Sequence, residues 1–228
     1  MPRNAPGLQH RGVLGDPAGL SVAVRAALVV ALLLGGCDFP AAQEAPRDEP
    51  RVDARRTSLP PIDPPRARGP APSAPDNAEL AEILAADVAD HASIASGDEL
   101  ARRDAARRAR VLAILSDDGA RTGADFFAVA TVLDHGTSLE DFASARRYAV
   151  VAAKLGERRG VRLAAQAWDR WLVRAGYPQR FGTMAACDAD GCTLHVYEAS
   201  TTDEERARWD LPPLRALKDA ADRSRRLP

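Results

Sequence analysis

Between Thr122 and Gly156 two sets of helix-start and helix-stop signals stand almost back to back, and no other feature restricts the fold of this chain as tightly. Thr122 is followed three residues later by Asp125, and Phe126, Val129, Ala130 and Leu133 then recur at helical spacing up to Gly136. Ser138 with Asp141 repeats the pattern, and Phe142, Ala145, Ala149 and Ala152 lead on to Gly156. A hydroxyl three residues ahead of a carboxylate caps a first turn reciprocally; a glycine just past the last periodic residue closes a final one. A third helix starts near Arg159 and carries Leu163, Ala164, Ala167, Trp168, Trp171 and Leu172 on one face until Gly176 and Pro178 stop it. Links of two or three residues force such neighbours antiparallel, and alanine faces let their backbones approach closely.

The flanks extend this pattern. Asp76, three residues before Glu79, reads as the cap of an earlier helix bearing Leu80, Ile83, Leu84 and Val88. Another helix is expected from about Asp98 to Leu115, where Leu100, Asp104, Arg108, Val111, Leu112 and Leu115 share a stripe interrupted by a carboxylate and a guanidinium. Arg107 is the alternative partner for Asp104, and the pair reads either as a solvated ion pair or as a partly buried one facing the loop after Asp169. Beyond Met184 the period changes to two: Cys192, Leu194 and Val196 alternate with Thr193, His195 and Tyr197 behind the turn Asp188 to Gly191. Asp203 to Arg208 reads as a short helical turn, and Pro212 or Pro213 as the first turn of a last helix with Leu214 and Leu217. The expected fold is all-α over residues 76–228: antiparallel helical hairpins packed in the tetratricopeptide or Sel1 manner, with one small β-hairpin near the C-terminus.

The first third of the chain is different material. Arg25 precedes Ala26 to Leu34, a nine-residue apolar run that suits the core of a secretory signal and falls short of the about 20 residues a membrane-spanning helix needs. Leu34, Gly35, Gly36 and Cys37 resemble a bacterial lipobox, which makes residues 1–36 a lipoprotein signal peptide and implies that Cys37 is acylated and becomes the new N-terminus. From Asp38 to Pro75 the sequence holds ten of the 17 prolines and no apolar periodicity, so residues 37–75 are expected to form a disordered tether. Localisation follows as an expectation: the cell envelope, with the domain facing the periplasm or the exterior. Cys187 and Cys192, either side of the hairpin turn, are then expected to pair as a disulfide; two free thiols or a metal pair are the alternatives. The first 36 residues carry three Arg and one Asp, so the remainder holds 28 basic and 31 acidic residues. That balance argues against a general nucleic-acid binder.

From about Asp104 to Leu214 the chain resembles an uncharacterised bacterial family. Its pattern has an early Asp and Arg, a central Gln-His-Gly, an Asp-Arg, a Gly-x-Pro-Gln-x-Tyr-Gly-Thr-Gln loop, and late an Asp, an Arg and a Leu-Pro-Pro-Leu. Here these positions are Asp104 with Arg107 or Arg108; Asp134, His135 and Gly136; Asp169 and Arg170; Gly176, Pro178, Gln179, Phe181, Gly182, Thr183 and Met184; Asp203 and Arg206; and Leu211 to Leu214. Asp134, Phe181 and Met184 depart from the pattern, standing for Gln, Tyr and Gln. The resemblance implies candidate positions and no reaction.

Residues 169–183, DRWLVRAGYPQRFGT, concentrate features that helix building does not need, and a loop held by a rigid helix is a usual place for recognition. Arg170, Gln179 and Thr183 are the binding candidates there. His135, at a helix C-terminus where the dipole favours its charged form, is the catalytic candidate, with Asp169 or Asp104 to orient it; capping is the simpler account of it. Arg170 is expected to bind Asp104 or to hold the Gln179 loop. His91, on the apolar side of the first helix, and His195, in the hairpin, read as packing or surface residues. The chain has no Gly-x-Ser-x-Gly elbow, phosphate-binding glycine loop, His-Glu-x-x-His or EF-hand pattern, so no metal or cofactor is expected. Two functions fit: an envelope module that binds a partner protein or small ligand, and an envelope hydrolase using His135.

Overall fold

The computed structural model describes residues 63–67, 74–93, 97–188 and 191–224. The expected signal peptide, Cys37 and most of the expected tether lie outside the described residues. Among those described, the elements run α1 (Ala78–Ala92), α2 (Gly97–Ser116), α3 (Gly123–Asp134), α4 (Leu139–Lys154), α5 (Arg159–Arg174), β1 (Ala185–Asp188), β2 (Gly191–Leu194), α6 (Asp203–Arg208) and α7 (Leu214–Ser224). The protein is thus mostly helical, with one two-stranded antiparallel sheet near its C-terminus, as expected. None of these helices is long and apolar enough to cross a membrane.

Helix α3 is central. Every residue from Ala128 to Asp134 is buried, as in a helix wrapped by neighbours rather than lying on a surface. One side of it meets Leu80 of α1 and Val111 and Ile114 of α2; the other leads into a second cluster of Ala149, Leu163, Ala164, Phe181 and Trp209. Both reciprocal caps are present: Thr122 with Asp125, and Ser138 with Asp141. The alanine-lined contact of α4 with α5 is tight. A Cβ placed on Gly160 would lie 2.5 Å from the carbonyl oxygen of Ala149 and 2.8 Å from the nitrogen of Ala153, so only glycine fits at this crossing.

Some expectations change at the residue level. Asn77, not Asp76, caps α1, its side-chain oxygen accepting from the nitrogen of Leu80 at 3.2 Å. Leu112, placed on the apolar stripe of α2, is 49 % exposed; the stripe that faces the core runs through Asp104, Val111 and Ile114. Gly176 adopts φ +80°, and with Tyr177 N–H donating to Leu172 O and Gly176 N–H to Val173 O it ends α5 as a left-handed cap does. Cys187 faces Cys192 across the hairpin and the two are bonded as a disulfide.

Candidate functional site

Two polar centres stand out, joined through Arg170. The first is the loop after α5. Asp169 is fully buried on α5, and its Oδ1 accepts from the backbone nitrogens of Arg180 and Phe181 at 2.6 and 2.9 Å. Its Oδ2 accepts from the nitrogen and the hydroxyl of Thr183 at 2.9 and 2.8 Å. Burial pushes the Asp169 carboxyl above the usual aspartate value, against the pull of these donors. One carboxylate therefore folds a four-residue loop around itself.

Gln179 completes the loop. Its Nε2 donates to the carbonyls of Met184 and His195, each at 2.9 Å, and its Oε1 accepts from the Met184 nitrogen at 2.7 Å. The main chain of Gln179 meanwhile bonds to Val196 and Glu198. Arg180 pairs with Glu205 at 2.8 Å, both ends buried. Arg206 donates to the carbonyls of Phe181 and Thr201, and with Leu214 N–H it also meets Asp203 Oδ1. The loop, β2, α6 and the start of α7 are thus one internal network, which spends the polar atoms of Gln179 and Thr183 on the fold.

The second centre is built by α1, α2 and the end of α3. Asp87 and His91 stand one turn apart on α1, and His135 is the C-cap of α3. His135 Nδ1 lies 2.8 Å from Oδ2 of the fully buried Asp87, so its carboxylate partner is neither Asp169 nor Asp104. His91 Nε2 lies 3.3 Å from Asp104 Oδ1. The two imidazoles stack, with centroids 3.7 Å apart and planes 28° from parallel.

Arg107 is the hub of this centre. It lies 3.1 Å from Asp87 Oδ1 and donates to Asp90 Oδ2 and Asp104 Oδ1, both at 2.6 Å. Of the two partners considered for Asp104, Arg107 is therefore the one used, and the pair is partly buried. Arg108 reaches the His135 carbonyl instead, at 3.5 Å. Burial and then the neighbouring His135 ring push His91 below the ordinary imidazole value, against the attraction of Asp104 and Asp87. One donor atom from each of Asp87, His91 and His135 falls within 4.8 Å of the others, although the sequence alone pointed to no metal-ligating set.

Arg170 connects the two centres, binding neither Asp104 nor the Gln179 side chain. It donates to the carbonyl of Asp134 at 2.9 Å and lies 3.4 Å from its carboxylate. His195 sits at the exit of β2, its carbonyl held by Gln179. The sequence reading missed Asp87; the spacing Asp87-x-x-x-His91, one helical turn, was the signal for it. A separate concavity of about 450 Å³ opens between α1 and α3, lined by Leu84, Val88 and Ala128 among others, with Asp125 at its edge. The Asp125 oxygens are already engaged by the nitrogens of Asn77, Arg121 and Thr122.

No family model matches the chain, and no curated protein and no solved structure matches it.

Proposed function

We propose that the chain is an exported bacterial lipoprotein, anchored in a membrane through acylated Cys37, whose helical domain is a binding module carried on the tether 37–75. The domain faces the periplasm or the exterior and engages a small ligand or an envelope protein at the His91–His135 face. One contrast carries this reading. The polar atoms of the Asp169 loop are consumed internally, whereas His91 and His135 are anchored on buried carboxylates and still keep side-chain exposures of 17 % and 16 %. Groups held in place from behind and open in front suit recognition. Antiparallel pairing of α3 with α4 and of α4 with α5, close across alanine, is consistent with the tetratricopeptide or Sel1 style of packing, which presents helix faces to ligands.

A second reading is favoured by the His135–Asp87 contact alone. A carboxylate on Nδ1 fixes the tautomer and leaves Nε2 as a general base, so an envelope hydrolase would use His135 oriented by Asp87. Thermal-shift screening of the detergent-solubilised full chain, followed by tryptophan fluorescence, tests the binding reading. A ligand of this face stabilises the wild type and has no effect on His135→Ala; Gln179→Ala lowers the baseline transition and keeps the ligand-induced shift. A ligand effect that survives His135→Ala and vanishes in Gln179→Ala moves the site to the loop and overturns the reading. Turnover of ester, amide or phosphoester substrates lost in His135→Gln would establish the hydrolase instead.

A further inference from the structure

We propose that Asp87, His91 and His135 form a binding site for a divalent transition-metal ion of the zinc class. This rests on the reading that the His91–His135 face is where the domain binds, and it names the ligand chemistry. Three residues from two helices, α1 and α3, bring two imidazole nitrogens and one carboxylate oxygen within 4.8 Å of one another. Donors at about 2.0–2.2 Å from a tetrahedral zinc ion sit roughly 3.3–3.6 Å apart. The Asp87 Oδ2 to His135 Nδ1 edge is already 2.8 Å; the two imidazoles, stacked 28° from parallel, have to turn so that both ring planes aim at the ion.

The surroundings supply what a metal centre needs behind its ligands. Arg107 lies against Oδ1 of Asp87, which turns Oδ2 toward the imidazoles and favours one-oxygen coordination. Asp104 meets His91 and is itself fixed by Arg107, the carboxylate–imidazole arrangement that orients metal-ligating histidines. A fully buried carboxylate is costly unless its charge is met, and Asp87 Oδ1 has no hydrogen bond of good geometry although Arg107 is near. The donor set also selects. Two imidazoles with one carboxylate suit zinc, cobalt or nickel, whereas calcium and magnesium take oxygen ligands throughout. Three protein donors leave at least one coordination position for water or a ligand atom.

The test uses the full chain, purified in detergent without an affinity tag and stripped with a chelator, and titrated with Zn²⁺, Co²⁺ and Mg²⁺. The expected result is one equivalent of Zn²⁺ or Co²⁺, none of Mg²⁺, and a raised thermal transition. His91→Gln and His135→Gln should each weaken Zn²⁺ binding by more than about 100-fold. Diethyl pyrocarbonate labelling of the wild type, mapped by mass spectrometry, needs no variant to fold: Zn²⁺ should protect His91 and His135 while leaving His195 unprotected. Absence of Zn²⁺ binding, protection confined to His195, or undiminished binding in both folded variants overturns the site. If Zn²⁺ fails while a screened ligand still acts through His135, the metal is wrong and the binding face stands. If both fail, the binding reading falls with it.

Discussion

Arg170 donates through Nη1 to the main-chain carbonyl of Asp134 at 2.9 Å, so the helix that holds the buried loop also grips the last turn of the helix that delivers His135. Both side chains are only 6 % exposed. Arg170→Met would leave the Asp134 carboxylate buried beside an apolar stem, and removing one partner of such a pair costs about 3–5 kcal/mol. Asp134→Asn also removes a charged partner but keeps the carbonyl that Arg170 grips, so it should cost less than Arg170→Met. Urea unfolding of the two variants checks the ordering; equal losses would mean that the carboxylate, not the carbonyl, is what Arg170 reads.

Asp169 is predicted to be a folding residue. In Asp169→Asn the new amide turns one N–H₂ group toward backbone donors that need an acceptor, and each donor left unmet costs about 1–3 kcal/mol. Thr183→Val removes one of the four donors and should cost about 1 kcal/mol. Hydrogen exchange at the amides of Arg180, Phe181 and Thr183 is the direct readout, since all three donate to this carboxylate. Their protection should collapse together in Asp169→Asn while α1 and α2 stay protected.

Helix starts, stops and the hairpin were legible because each is local chemistry. Thr122 with Asp125, Ser138 with Asp141, and the run Asp203–Arg208 carry their caps within one turn. Cys187 and Cys192 flank their own turn, so their pairing needed little information from elsewhere. What the sequence hid depends on packing between distant elements. Asp87 reads as one more acidic residue on α1 until α2 and α3 cover it, and Arg107 and His135 then approach from 20 and 48 positions away in the chain. Asn77 displaced Asp76 as the cap of α1 because its Nδ2 also donates to the carbonyl of Gly119 at 2.9 Å and its backbone nitrogen to Asp125 at 2.7 Å. The Asp169 loop stands out in the sequence, yet the same polar residues serve recognition or folding equally well there; only their saturation by N–H groups separates the two.

The α4–α5 crossing gives a paired prediction. Gly160→Ala gains helix propensity of about 1 kcal/mol but drives a methyl group to 2.5 Å from a carbonyl oxygen, and overpacking of that kind costs about 1–3 kcal/mol or more. Net destabilisation is expected. Gly97→Ala, with no atom within 4 Å of the added carbon, should instead stabilise by about 0.5–1 kcal/mol. Denaturant midpoints of the two variants should move in opposite directions.

Removal of the proposed lipid attachment point should change where the protein is without changing what it is. Cys37→Ser is expected to shift the chain from the membrane fraction to the soluble one, because acyl chains contribute about 0.8 kcal/mol per buried methylene. The thermal transition of the domain should be unchanged. Persistence of the variant in the membrane fraction would place the anchor elsewhere.

The last prediction concerns acid stability. Asp125 is 2 % exposed; burial pushes its carboxyl up, but N–H groups of Arg121, Asn77 and Thr122 together outweigh burial and hold it below the usual aspartate value. The sign follows from that depression. The folded state binds a proton here less readily than the unfolded chain, whose aspartates titrate near 3.9, so the stabilisation is fully present above about pH 4 to 5 and is lost as pH falls through the lower folded value. Asp125 joins the cap of α1 to the start of α3 through three backbone donors at 2.7, 2.9 and 3.0 Å. Asp125→Asn keeps the shape and turns an amide N–H₂ toward at least one of these donors, costing about 1–3 kcal/mol at neutral pH. Its stability curve should lack this residue's share of the acid decline, so wild type and variant converge as pH falls through that lower folded value. Curves that stay parallel down to that pH would show that Asp125 keeps its ordinary acidity in the fold, and that the α1–α3 junction owes nothing to its charge.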